Sequence, residues 1–394
     1  MALPPAGIIQ IEFQRVGSHD LPLSQKSTPS ASLRYAITLT IAQNDYPVRY
    51  VMIKCEKLFN KGSTFMDLTK LPLGLLRWMK EHDWVALSAH QIIGGFAAVI
   101  YRIHVQVQDQ DRHVIYKQVT KDRSGELSLI PDVMDLLSNQ APHVYGVVKE
   151  QDETGILMQY VGDTLKSTIK YFDANQRTTV VKQAALFLAS LHTKQEHHVK
   201  SLIQAGVTPY YPVESALAWA NKAITELSWA QQYGFSREIT ERSLKDCKIM
   251  LDTFYPQYPT FLQSHVTLTH GDPHFDNIVV TKNSFRLIDW EGACITAPQR
   301  DIAIFLQDVL DEQLFKTVYD VYRQSMEKEG WNVENKTFTR TFQAFLFDNT
   351  LMMLGWEIHK FREHYLDEFE LRTIITTKLA WLYESFTQVF ASSS

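Results

Sequence analysis

At 394 residues the chain is long enough for two or three structural units, and with 45% hydrophobic against 21% charged residues it can bury a sizeable core, which excludes disorder as its overall state. Its 39 basic and 44 acidic side chains leave a net charge of −5, the wrong sign for a whole-chain nucleic-acid binder. No apolar run approaches the roughly 18 residues of a membrane span, so no membrane contact is expected. The first residues show no basic-then-apolar leader pattern. Cys55, Cys247 and Cys294 are far apart and form no CxxC pair, so the expected location is a reducing cytoplasm.

Residues 1–83 are expected to form a strand-rich N-terminal extension. Stretches 8–16, 33–42 and 48–57 are rich in Ile, Val, Tyr and Thr with partial alternation, and a Ser/Thr/Pro-rich loop lies at 24–32. Their apolar side chains are too many to leave in water. The extension is therefore expected to pack on the neighbouring lobe, or on a second copy of the chain as a homodimer. A helix follows over 71–82. Next, Val99, Tyr101, Ile103, Val105 and Val107 alternate with mostly polar partners, the pattern of a half-buried strand. Asp109-Gln110-Asp111 turns it into a second strand over 113–119, and Pro131 is acceptable as the first residue of a helix over 131–139. Strands at 144–149 and 155–160 complete a small mixed lobe over 84–161. From 162 to 394 the pattern is helical, with stripes such as Val180, Val181, Ala184, Leu188 and Leu191. The strand-like interruption at 266–287 holds the chemistry.

That interruption runs Thr269-His270-Gly271-Asp272-Pro273-His274-Phe275-Asp276-Asn277, then, after a hairpin, reaches Ile288-Asp289-Trp290-Glu291-Gly292. A carboxylate and an amide five positions apart in a loop, then a second carboxylate beyond a short hairpin, suit phosphoryl transfer. Asp272 can orient a hydroxyl and accept its proton. Asn277 and Asp289 can offer Mg²⁺ hard oxygen ligands while a triphosphate supplies the others. Residues 270–277 resemble the catalytic loop of the aminoglycoside phosphotransferase and choline kinase-like families, with His-Gly-Asp, four residues, then Asn. Ile288-Asp289-Trp290-Glu291 is similar to those families' metal motif, and Arg300-Asp301-Ile302-Ala303 resembles the Asp-Leu-Ala element opening their next helix. The resemblance extends in pattern over about 85–391 and leaves the extension uncovered. It implies an α+β, bilobal, protein kinase-like fold, with a small mixed β-sheet N-lobe and a mostly helical C-lobe.

The same resemblance implies a nucleotide site in the N-lobe. Gly94 and Gly95 would form the turn over the phosphates, where glycines let backbone N–H groups approach. Lys117 falls where these families place their phosphate-contacting lysine, with Lys121 and Arg123 as nearby alternatives. Glu126 would be its ion-pair partner, in competition with Asp132, because Pro131 interrupts the helix expected to present the glutamate. Gln159 and Tyr160 lie in the stretch resembling the hinge whose backbone receives adenine. His270 reads as a buried scaffold residue, His274 and Asp276 as loop positions without a role, and Cys294 as a small buried hydrophobe. Trp356-Glu357 is the candidate for the acceptor pocket, since an aromatic face beside a carboxylate suits a cation.

The expected activity is ATP- and Mg²⁺-dependent transfer of the γ-phosphate to a hydroxyl of a small molecule, such as an aminoglycoside-like compound, an amino alcohol or a sugar. An inactive kinase-fold binding or scaffold protein is disfavoured because Lys117, Asp272, Asn277 and Asp289 are all present. A protein kinase is disfavoured by Asp-Trp-Glu in place of Asp-Phe-Gly and by the lack of an Ala-Pro-Glu segment.

Overall fold

The computed structural model describes residues 65–92, 99–119, 127, 137–150, 153–207, 211–262, 265–281, 284–331 and 333–391, together with strand backbone at 9–15 and 35–41. In the extension, β1 (Ile9–Arg15) and β2 (Tyr35–Ile41) pair antiparallel, with Ile9 opposite Ile41 and Arg15 opposite Tyr35. The strand expected at 48–57 lies outside the described residues.

The small lobe is a six-stranded antiparallel sheet made of β3 (Phe65–Met66), β4 (Trp84–Ile92), β5 (Val99–Val107), β6 (Gln110–Gln118), β7 (Val144–Glu150) and β8 (Glu153–Gln159). Its spatial order is β3-β4-β5-β6-β8-β7. The alternation in β5 buries Tyr101, Ile103 and Val105, and register sets Tyr101 opposite Tyr116 and Ile103 opposite Val114 on the same face. Helix α1 (Leu73–Glu81) covers that face, together with the turn before it, through Leu71, Leu75 and Met79. A period-two strand face thus meets a helix face of period 3.6, the ordinary way to close a half-buried sheet. The opposite face carries Ile100 across from Lys117 and Arg102 across from Ile115, and this side looks onto the cleft.

Residues 65–81 are therefore part of the small-lobe fold. They supply an edge strand and the helix that covers the sheet. The start of α1 follows Pro72, which provides no side-chain cap. Glu153 of β8 caps it instead, accepting from the Gly74 N–H at 2.8 Å and the Leu75 N–H at 3.1 Å, and from the Tyr116 hydroxyl at 2.7 Å. Gly155 makes this possible, because a Cβ there would lie 2.3 Å from the Tyr116 ring.

The large lobe holds α2 (Leu165–Ile169), α3 (Ala174–Glu196), α4 (Val199–Gln204), α5 (Val213–Ala230), α6 (Glu241–Phe254), α7 (Tyr258–Leu262), α8 (Gln299–Phe305), α9 (Glu312–Lys328), α10 (Asn335–Arg362) and α11 (Glu368–Ala391). Helix α3 opens with a reciprocal cap between Asp173 and Gln176, and its stripe of Val180, Val181, Ala184, Leu188 and Leu191 is buried. Among the described residues no helix is long and apolar enough to cross a membrane.

Between α7 and α8 lie four three-residue strands, β9 (Thr267–Thr269), β10 (Ile278–Val280), β11 (Phe285–Leu287) and β12 (Cys294–Thr296). β10 and β11 form a hairpin, while β12 returns to pair with β9, placing Cys294 opposite Thr269. The loop at 270–277 and the loop at 288–293 therefore run side by side. The sequence expectation stopped at 287, because Cys294-Ile295-Thr296 is too short to display a period.

Replacing Glu153 by Ala should lower stability by about 1–3 kcal/mol, since it strands two helix N–H groups and a buried tyrosine hydroxyl. Urea unfolding read by tryptophan fluorescence measures this, and an unchanged midpoint would rule out the capping role.

Candidate active site

The backbone of the 270–277 loop is held before its side chains come into play. Gly271 has φ +88°, and a Cβ there would lie 1.9 Å from the Gly292 carbonyl oxygen, so the loops approach too closely for any other residue. Asp301, fully buried at the start of α8, accepts from the His270 N–H at 2.7 Å and the Gly271 N–H at 2.9 Å. His192 Nε2 lies 3.1 Å from the same carboxylate, and its Nδ1 lies 2.7 Å from the Tyr322 hydroxyl. Burial pushes the Asp301 carboxyl up, but the His192 and backbone hydrogen bonds prevail and hold it below the usual carboxylate range. Arg300 donates to the Gly271 carbonyl at 2.7 Å and stacks 4.0 Å from the centre of the Tyr211 ring.

His270 is buried and joins the two loops. Its Nε2 lies 2.9 Å from the Ile288 carbonyl, while its Nδ1 accepts the Asp272 N–H at 3.3 Å. Burial lowers its pKa against the pull of Asp301, Asp272 and Asp289, so the ring is a neutral strut. The Ile288 N–H donates to the Asn277 carbonyl at 3.0 Å, which brings Asp289 alongside Asn277.

These constraints set the side chains of the cleft floor. The Asp272 side chain is half exposed, yet protein surrounds it on most sides. Burial alone would raise its carboxyl pKa; the hydrogen bond from His274 and the nearby His274 and Arg300 side chains instead lower it, so Asp272 is an anion at neutral pH. The Asn277 amide nitrogen donates to the Asp272 carbonyl at 2.9 Å, leaving its Oδ1 as the atom free for a cation. Asp289 sits in the left-handed region at φ 67° and ψ 63°, an unusual conformation for a residue other than glycine. Its carboxylate meets Lys117 Nζ at 2.5 Å, so the small-lobe lysine and the large-lobe aspartate face each other across the cleft. Asn277 and Asp289 present hard oxygens of the kind Mg²⁺ takes when nucleotide phosphates complete its shell. The donor set fits that ion.

The remaining expected residues are more scattered. Gln159 and Tyr160 sit at the end of β8, where their N–H groups donate to the carbonyls of His143 at 2.8 Å and His113 at 3.2 Å. The Tyr160 hydroxyl donates to Asp163 at 2.8 Å, and Arg102 stacks 3.9 Å from its ring centre. Gly94, Gly95 and Glu126, with Lys121, Arg123 and Asp132, lie outside the described residues. Glu357 is 9% exposed and pairs with Lys360 at 3.2 Å, while Trp356 meets Trp219 edge-on at 6.5 Å.

Several residues without an assigned role in the sequence turn out to build the site. Asp308 accepts from the Phe275 N–H at 2.8 Å and pairs with Lys166 at 2.9 Å, fixing the far end of the loop. Lys378 of α11 is 2% exposed and donates to the neighbouring Gln307 at its carbonyl (3.2 Å) and Oε1 (2.7 Å). Burial pushes its ammonium pKa down to about 8. His274 reaches both Asp272 and Asn277. The available signal was a charge set in apolar surroundings, as in Asp301-Ile302-Ala303-Ile304-Phe305 and Lys378-Leu379-Ala380-Trp381.

The folded pKa of Asp301 lies below its unfolded value, so its contribution to stability is present above pH ~4 and is lost as pH falls through the folded pKa. Asp301→Asn should therefore cost about 3–5 kcal/mol at pH 7, as expected for breaking a buried polar cluster, with the difference from the parent shrinking below pH ~4. Urea titrations at stepped pH measure this, and a pH-independent difference would contradict it.

A family model described as "Phosphotransferase enzyme family" matches residues 102–333, more than half of the chain. No curated protein matches by sequence. Among solved structures, the chain is similar to an amicoumacin kinase in complex with AMP-PNP, Ca²⁺ and Ami, at TM-score 0.53 and 12% identity, covering 74% of this chain and 87% of that one. It is also similar to an aminoglycoside 2'-phosphotransferase in its GDP complex, at TM-score 0.52 and 16% identity, over 81% and 99% of the two chains. A spectinomycin phosphotransferase in complex with ADP and spectinomycin follows at TM-score 0.51 and 15% identity, over 81% and 97%. The chain shares the bilobal protein kinase-like fold of those neighbours, and from its family match it belongs to the phosphotransferase enzyme family.

Proposed function

We propose that this kinase moves the γ-phosphate of ATP, with Mg²⁺, to a hydroxyl of a small molecule, aminoglycoside-like, an amino alcohol or a sugar. The observation that carries the reading is the cleft floor itself, where the Asp272 anion stands beside Asn277 and the Lys117–Asp289 pair reaches across from the small lobe. Kinases of this fold solved with ADP and spectinomycin, or with AMP-PNP and Ca²⁺, support a nucleotide and metal in the same cleft.

In this reading Asp272 orients the acceptor hydroxyl and takes its proton as the oxygen bonds to the γ-phosphorus and the bond to ADP breaks. Lys117 draws the phosphates into line, and Asn277 and Asp289 hold the ion. The bound Mg²⁺ neutralises charge on the phosphate oxygens. Asp276, Asp308 and Glu357 stand near Lys166, and this acidity supports an acceptor that carries an amine. Free, buried Cys247 and Cys294 fit a cytoplasmic location.

A panel of aminoglycosides, amino alcohols and sugars, with ATP consumption followed and product identified by mass, tests the activity. Asp272→Ala should reduce turnover by about 10²–10⁴-fold while nucleotide binding persists. Near-normal turnover at saturating acceptor would remove Asp272 from its role. Asp289→Asn should weaken Mg²⁺–nucleotide binding more than metal-free binding; equal losses by calorimetry would overturn the metal assignment.

A further inference from the structure

We infer that Lys378, on the last helix, is a positioning residue for phosphoryl transfer: its Nζ grips the Gln307–Asp308 peptide and so fixes the carboxylate that holds the far end of the 270–277 loop. The inference rests on the proposed kinase reading for the role of that loop. Its structural content stands on the contacts of Gln307, Asp308 and Lys378.

Lys378 is 2% exposed, and its Nζ donates to two acceptors of one residue, the Gln307 carbonyl at 3.2 Å and the Gln307 Oε1 at 2.7 Å. Both acceptors are neutral, and among the described residues no carboxylate lies within ion-pair distance of the ammonium. The charges that face it are Glu357 and Lys360 of α10, Asp308, and Lys166 of α2, so two anions are matched by two further cations. Burial prevails over them and brings its pKa down to about 8, which leaves it protonated at neutral pH. A buried ammonium without a paired carboxylate lowers stability, and an apolar side chain of the same length would fill the space without that penalty. Stability alone does not account for a lysine at this place.

The Gln307 carbonyl belongs to the peptide that joins Gln307 to Asp308, in the turn Leu306–Asp308, where helical carbonyls run out of partners of their own. A lysine satisfies such a carbonyl directly. The Gln307 side chain is held from its other end, Nε2 donating to Thr350 Oγ1 at 2.9 Å and to the Ala303 carbonyl at 3.3 Å, which keeps its Oε1 toward the lysine. With that peptide plane set, the Asp308 side chain is aimed at the loop. Its Oδ2 accepts the Phe275 N–H at 2.8 Å and its Oδ1 the Lys166 ammonium at 2.9 Å. The Lys166 N–H in turn donates to the Phe275 carbonyl at 3.0 Å. Both polar groups of the Phe275 backbone are thus committed to this one cluster, three residues after Asp272 and two before Asn277. A misplacement of about 1 Å in a reacting group can lower a rate roughly 100-fold. Buried behind the turn, Lys378 acts on that placement through Asp308.

The test has two arms on the full chain, both using Lys378→Met, which keeps an unbranched stem and removes the ammonium. In the first, kcat should fall by about 10–100-fold with the KM for ATP nearly unchanged, while the urea midpoint stays level or rises. An unchanged kcat, a loss confined to KM, or a loss matched by a fall in the unfolding midpoint would overturn the positioning role. A variant that does not fold gives Lys378 a structural task and counts against the proposal. The second arm needs no turnover. Amide hydrogen exchange of ¹⁵N-phenylalanine-labelled protein should show Phe275 exchanging about tenfold faster or more in Lys378→Met, with Phe254 of α6 unchanged. A Phe275 amide indifferent to the substitution, or an acceleration shared by Phe254, would refute the anchoring. If no acceptor in the panel is phosphorylated by the parent protein, the kinase reading fails, while the exchange arm still judges Lys378.

Discussion

Two consecutive backbone N–H groups, at His270 and Gly271, converge on the buried carboxylate of Asp301, and the geometry of the cleft floor depends on that pair of bonds. A carboxylate removed from water is costly unless its lone pairs are used. Here two amides and His192 use them. Arg300 takes the Gly271 carbonyl from the other side, so both polar groups of that residue are committed while it sits at positive φ against Gly292. Asp272 follows immediately and inherits its direction from that fixed backbone. Asp272 itself needs little support beyond this, because His274 and Asn277 can address its side chain only if the preceding turn is fixed.

The charges of the cleft are arranged by the same economy. Asp272, Asp276, Asp289 and Asp308 lie on or beside one floor, and the cations Lys117 and Lys166 answer two of them directly. Lys117 is 8% exposed, so its attraction to Asp289 acts through little water and is stronger than a surface pair of equal length. The Arg286 guanidinium adds a second tie between the lobes by donating to the Ala141 carbonyl at 2.7 Å. The small lobe is thus registered on the large one at the point where charge must be placed accurately.

Much of this architecture was legible in the sequence, and what was legible had a local cause. The strand at 99–107 could be read because alternation is visible within nine residues, and the helical stripes because their period recurs several times. The 270–277 loop could be singled out because its carboxylate and amide fall within one short motif. Asp301, Asp308 and Lys378 could be seen as charges in apolar stretches, but not given a task, because their partners lie 30 to 71 positions away. β12 escaped because three residues carry no period.

Lys378 lies 71 positions beyond Gln307 in sequence, and through Gln307 and the adjoining Asp308 it stands one bond from the loop at Phe275. Contacts of such separation close late, because a long chain segment must be ordered before they return any energy. A nascent chain that has emerged as far as 299 therefore contains the whole 270–277 loop but not Arg300, Asp301 or Asp308, which hold its backbone, nor Lys378 behind them. The loop's fixed geometry thus draws on contacts that chain beyond 299 supplies, and a chain truncated there would carry the motif without most of its anchors.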